Sequence, residues 1–87
     1  MHTILIVEDE ILEQQFLKEI VEEELQGQGQ ILTCTTGTQA IETARKKNPD
    51  IILMDIWLPE LDGMKALTTI RQFCPSAAVI ILSACSD

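Results

Sequence analysis

The chain has 87 residues, of which 46% are hydrophobic and 23% charged, and its formal net charge is −8. That length allows one small domain at most, and the apolar content excludes a disordered segment, because there is enough of it to build a core. The acidic balance argues against nucleic-acid contact by this segment, since affinity for phosphate backbones rests on Lys and Arg; the lack of an apolar run of about 18 residues, or of a basic segment leading into one at the amino terminus, predicts no membrane span and a cytoplasmic location.

Thr3-Ile4-Leu5-Ile6-Val7 is a continuous apolar, largely β-branched run that stops at Glu8-Asp9-Glu10, the pattern of a strand buried on both faces. From Glu10 to Leu25, Leu12, Phe16 and Ile20 recur at helical spacing, with Leu17 and Val21 one step round. These are expected to face the core and to leave Glu13, Gln14, Lys18 and Glu19 on the other side. The acid run Glu22-Glu23-Glu24 lies near the carboxyl end of this helix and reads as a solvated face. Gln26-Gly27-Gln28-Gly29-Gln30 ends the helix as a loop.

Ile31 to Thr35 reads as a second, less apolar strand suited to a sheet edge. Thr36 and Gln39 have the spacing of a capping box. The helix they open carries Ala40, Ile41 and Ala44 inward and Arg45, Lys46 and Lys47 at its carboxyl end, where cations complement the helix dipole. Asn48-Pro49 stops it. Asp50 to Asp55 repeats the buried-strand pattern and again closes on an acid. A loop containing Pro59, which reads as a stiffener, leads to Asp62-Gly63, the cap and start of a third helix running to Phe73 with Met64, Leu67 and Ile70 on one face. Ala78 to Leu82 is a fourth strand, closed by Ser83-Ala84. Strands alternating with helices on short connections predict an α/β, doubly wound parallel sheet with helices on both faces.

Cys34, Cys74 and Cys85 are odd in number, with no close pair and no accompanying histidines. They predict neither a disulfide framework nor a zinc site and read as buried or incidental thiols. His2, the single histidine, reads as a solvated end residue.

In open parallel sheets, reactive groups gather beyond the carboxyl ends of the strands, near where the strand order reverses. Glu8 and Asp9 close the first strand and Asp55 the third. If those strands are neighbours, three carboxylates converge. Like charges oppose one another's ionisation, and a hard divalent cation relieves the repulsion; Mg²⁺ is satisfied by one or two carboxylates, a carbonyl and several waters. For each acid alone a solvated strand end is the simpler reading, so the weight falls on their convergence.

The runs Ile4-Leu5-Ile6-Val7-Glu8-Asp9-Glu10, Pro49 to Met64, and Val79-Ile80-Ile81-Leu82-Ser83-Ala84 resemble, in order and spacing, the receiver domains of two-component response regulators. The resemblance covers the whole chain. It implies a flavodoxin-like (CheY-like) receiver fold with strand order 2-1-3-4, the fifth strand and last two helices falling beyond Asp87, so that residues 1–87 form an incomplete, N-terminal part of the domain. It implies that Asp55 accepts a phosphoryl group from the phosphohistidine of a sensor histidine kinase. Asp9 resembles the direct Mg²⁺ ligand and Glu8 its water-mediated partner, joined by Asp55 and the backbone carbonyl of Trp57. Ser83 stands at the switch hydroxyl, and Ala84 at the small residue that leaves room for the phosphate. Such a domain is not an enzyme but a signalling module that assists its own phosphotransfer and dephosphorylation. Its partners are the kinase and an output domain, most often a DNA-binding transcriptional regulator.

The family's fifth-strand Lys also lies beyond Asp87, which keeps a degenerate receiver, serving only as an interaction module, as the alternative. A flavin electron carrier is disfavoured because Thr35-Thr36-Gly37-Thr38 follows the second strand and the chain has no Tyr. A haloacid dehalogenase-type phosphatase is disfavoured because Trp57 stands where its second Asp belongs. A chain stopping after strand four leaves Val79 to Leu82 as an apolar edge, expected to self-associate.

Overall fold

The computed structural model describes residues 2–58 and 61–82. The roles expected of Pro59, Ser83, Ala84 and Cys85 lie outside these residues. Strands β1 (His2–Val7), β2 (Gly29–Cys34), β3 (Ile51–Asp55) and β4 (Ala78–Leu82) alternate with helices α1 (Ile11–Leu25), α2 (Gly37–Lys47) and α3 (Gly63–Arg71). Each strand pair is parallel, as the alternation of strands and helices predicts, and the order is β2-β1-β3-β4, as the family resemblance implies.

The unbroken apolar runs of β1 and β3 follow from their interior position, because successive side chains serve opposite faces and both faces are covered. On one face Leu5, Val7, Ile52 and Met54 pack against Ala40 and Ala44 of α2 and Ala66 and Ile70 of α3. On the other, Ile4, Ile6 and Leu53 meet Leu17, Val21 and Leu25 of α1. Leu5, Ile6, Ile52 and Met54 are fully buried, and each contributes about 1.5–3 kcal/mol of transfer free energy.

The buried face of α1 departs from the expectation. Leu12, Phe16 and Ile20 are 76%, 64% and 46% exposed, while Leu17 and Val21, expected inward with them, do make the contact, joined by Leu25. The helix carries two apolar stripes one step apart, and periodicity alone does not say which meets the sheet. Gln14, expected on the outer side, continues the buried stripe upward and is half-buried. Met64 is likewise exposed rather than inward, while Ala66 and Ile70 take the core positions of α3.

The termini of the elements follow local chemistry. Thr36 caps α2 by accepting the Gln39 N–H at 3.1 Å. The Gln39 side chain reaches back to the N–H of Thr35, at 3.0 Å, instead of to the cap's own amide as the capping-box spacing suggests. Asp62 caps α3 by accepting the Lys65 N–H at 2.9 Å. β2 begins two residues earlier than the expected Ile31, because Gly29 pairs with His2. A Cβ at Gly29 would lie 2.8 Å from the His2 carbonyl, so the loop glycine belongs to the strand.

Candidate metal centre

The chain passes from β1 through α1 to β2 on one side, then through α2 back across to β3 on the other, so β1 and β3 flank the point where the order reverses. Glu8 and Asp9 follow the last β1 residue, Val7, which pairs with Met54, and Asp55 closes β3 beside them. One carboxylate oxygen from each of Glu8, Asp9 and Asp55 lies within 4.8 Å of the other two. Glu8 and Asp55 are only 3% and 5% exposed, whereas Asp9 faces solvent.

Burial of an acid among acids is costly, and the chain offsets it with backbone amides. Glu8 Oε2 accepts the Glu10 N–H at 3.0 Å, and Asp55 Oδ1 accepts the Trp57 N–H at 3.0 Å. The offset is incomplete at Glu8. Its pKa is pushed up to about 7, first by burial, with the charges of Asp55, Glu13 and Asp9 adding to it and the Glu10 amide opposing. Three convergent oxygens, two of them buried, with one carboxyl whose ionisation burial resists, fit a hard divalent cation such as Mg²⁺, which would supply the missing positive charge.

Trp57 brings its backbone to Asp55 and leaves its indole 69% exposed at the rim. The loop that holds it is seated by close glycine contacts. A Cβ on Gly63 would fall 2.5 Å from the Asp55 carbonyl oxygen and 2.6 Å from Ile56 Cα, and one on Gly37 would fall 2.5 Å from the Leu61 carbonyl oxygen. The starts of α2 and α3 thus press on the two ends of the loop. Ser83 and Ala84 lie outside the described residues; Leu82 before them pairs with Asp55, so β4 ends beside the cluster.

Two residues at the site escaped the reading of the sequence. Gly37 shows no signal, since its role depends on an approach between distant segments. Gln14 does carry one: it is the polar member that extends the Leu17-Val21-Leu25 stripe by a turn. Its Nε2 donates to the carbonyls of Glu8 at 3.1 Å and Cys34 at 2.9 Å. The buried thiols stand apart from this chemistry. Cys34 contacts the Thr43 hydroxyl and Cys74 the Asn48 side chain, and burial pushes both thiols up, away from the reactive thiolate. No helix among the described residues is long and apolar enough to cross a membrane.

Residues 4–87 match the family model of the response regulator receiver domain. Over 83 residues the chain is 36% identical to the chemotaxis protein CheY of Bacillus subtilis, covering 95% of this chain and 68% of that protein. Over 71 residues it is 42% identical to the DNA-binding transcriptional regulator NtrC of Escherichia coli, covering 78% of this chain but 15% of that protein. Among solved structures, the response regulator domain of Thermotoga maritima CheB matches with a TM-score of 0.87 at 31% identity, covering 100% of this chain and 63% of that one.

Proposed function

The chain belongs to the response regulator receiver domain family, and from that premise we propose that it is a phosphoacceptor whose Asp55 takes a phosphoryl group from a sensor histidine kinase in a Mg²⁺-dependent reaction. The observation that carries this reading is the meeting of the Glu8, Asp9 and Asp55 oxygens at the strand ends. Residues 1–87 then form the N-terminal part of a cytoplasmic receiver domain.

Oδ1 of Asp55 accepts the Trp57 amide, which makes the oxygen without that bond the more available nucleophile. That oxygen forms the new O–P bond as the P–N bond of the phosphohistidine breaks; the imidazole departs with the bonding electrons and an acyl phosphate remains. Asp9, at the mouth of the site, is the direct metal ligand, and buried Glu8 acts through water. Asp55 and the Trp57 backbone carbonyl complete the protein's share. Bound Mg²⁺ supplies the positive charge that offsets the charge building on the phosphoryl oxygens. Ser83, which follows the β4 strand ending beside Asp55, is the switch hydroxyl, and Ala84 leaves room for the phosphate.

Leu12, Phe16 and Ile20 form an exposed apolar stripe that starts one turn beyond Asp9. An exposed apolar stripe on the helix that follows Glu8 and Asp9 suits docking of the phosphodonor protein. The similarity to NtrC favours a DNA-binding transcriptional regulator as the output partner, with this segment itself making no nucleic-acid contact. The domain acts as a signalling module rather than as an enzyme with a separate substrate.

The chain's single Trp lies at the site, so its emission reports metal binding. Titration with Mg²⁺ is expected to give saturable quenching in the wild type and an affinity at least about 10-fold weaker in Asp9→Ala. Equal affinity in the two would remove Asp9 from the site.

A further inference from the structure

We infer that Gln14 is a positioning residue for the acidic site: its side-chain amide ties the carboxyl ends of β1 and β2 to α1 and so fixes where Glu8 and Asp9 present their carboxylates. The inference rests on the reading of that site as a Mg²⁺ site.

Both hydrogens of the Gln14 amide are committed, one to the Glu8 carbonyl at 3.1 Å and one to the Cys34 carbonyl at 2.9 Å. The Cys34 carbonyl also accepts the Glu8 N–H at 3.0 Å. Glu8 is therefore held on its N–H by the end of β2 and on its C=O by α1. The peptide leading to Asp9 is thus held at its carbonyl and the peptide before it at its N–H. This matters most for Asp9, which faces solvent and whose direction follows from the peptide that carries it.

Gln14 is itself firmly based. Its backbone N–H bonds the Glu10 carbonyl at 2.9 Å, closing the first turn of α1, and Leu17, Val21 and Leu25 seat the same face of the helix on the sheet. The Glu8 carboxylate completes the loop of contacts by accepting the Glu10 amide. Five hydrogen bonds around a single turn thus hold the backbone that carries the two acids, and Gln14 alone among these residues reaches β2 through a side chain. Groups that orient metal-binding residues without touching the metal commonly govern affinity by about 10–100-fold.

Gln14→Met keeps the length and bulk of the side chain and removes both N–H groups, and the full chain carrying it tests the inference. Mg²⁺ affinity, followed by Trp57 emission, is expected to fall about 10-fold. In the metal-free chain the Glu8 and Glu10 amides are expected to exchange with solvent faster than in the wild type. Ile31→Val, on β2 away from the acids, serves as the control for stability loss alone and is expected to keep wild-type affinity. Should Gln14→Met not fold, Gln14→Asn, which keeps the amide one methylene short of its partners, carries the same test under the same criteria. Wild-type affinity in the Gln14 variant, or a loss no larger than in the control, would overturn the positioning role while leaving the metal site standing. A wild-type chain that binds no Mg²⁺ would overturn the site reading and this inference with it.

Discussion

Glu8 sits 3% exposed between two other carboxylates and holds its proton to about pH 7, chiefly because burial disfavours its charge. Its ordinary value is 4.5, so between these limits the folded chain keeps a proton that the unfolded chain has released. The contribution to stability is present in full below the lower value and is lost as pH rises through the upper one. The metal-free chain is therefore expected to have a higher urea midpoint near pH 5 than near pH 8, and Glu8→Gln to flatten much of that difference; an unaltered profile in the variant would mean Glu8 is not the group responsible. Mg²⁺ affinity should rise over the same interval, because the cation competes with that proton. A second residue-scale expectation concerns Gly63. Adding a Cβ 2.5 Å from the Asp55 carbonyl oxygen forces the start of α3 off the end of β3, so Gly63→Ala should cost about 1–3 kcal/mol by denaturant unfolding. A wild-type midpoint would show that the contact relaxes freely. The acids were legible in the sequence because each closes a buried run. The need for glycine at 37 and 63, and the bonds of Gln14, were not, since they depend on segments far apart in the chain meeting at fixed distances.

At the scale of elements, α1 shows where pattern reading reaches its limit. Leu12-Phe16-Ile20 and Leu17-Val21-Leu25 are both apolar stripes, and the sequence reading turns Leu12, Phe16 and Ile20 inward along with Leu17 and Val21, where the fold buries only the second stripe. The turn from β1 into α1 is held by bonds among Glu8, Glu10 and Gln14, which a hydrophobic pattern does not encode. The distinction is measurable. Phe16→Ser is expected to change stability by no more than about 0.5 kcal/mol, as at ordinary surface positions. Leu17→Ala, removing a partly buried contact with the sheet, should cost about 2 kcal/mol, at the low end for such truncations. The reverse ranking would mean that α1 is rotated about its axis from the orientation described. In α2 the expected Ala40 and Ala44 do face the core, whereas in α3 Ile70 does so and Ala66, not the expected Met64, joins it.

For the molecule as a whole, the order β2-β1-β3-β4 was legible from alternating strands and helices together with the family resemblance, and the depth of burial of β1 and β3 from their unbroken apolar runs. The outer strand is less simple. β4 is the edge of the sheet among the described residues, with Ile80 and Ile81 53% and 39% exposed and Val79 packed on the α2–α3 side. Such an uncharged edge offers its amides and carbonyls to another strand. The 87-residue chain alone is therefore expected to sediment as a dimer that Ile80→Lys disperses without unfolding, and a monodisperse wild-type monomer would refute this. The central claim is that three acids at the ends of β1 and β3 make Asp55 a Mg²⁺-dependent phosphoacceptor. Intact-mass measurement after incubation with acetyl phosphate tests it most directly. The wild-type chain should gain one phosphoryl group in Mg²⁺, lose that gain in EDTA, and show none in Asp55→Asn; an equal gain in Asp55→Asn, or no gain in a wild-type chain with Mg²⁺ bound, would contradict it.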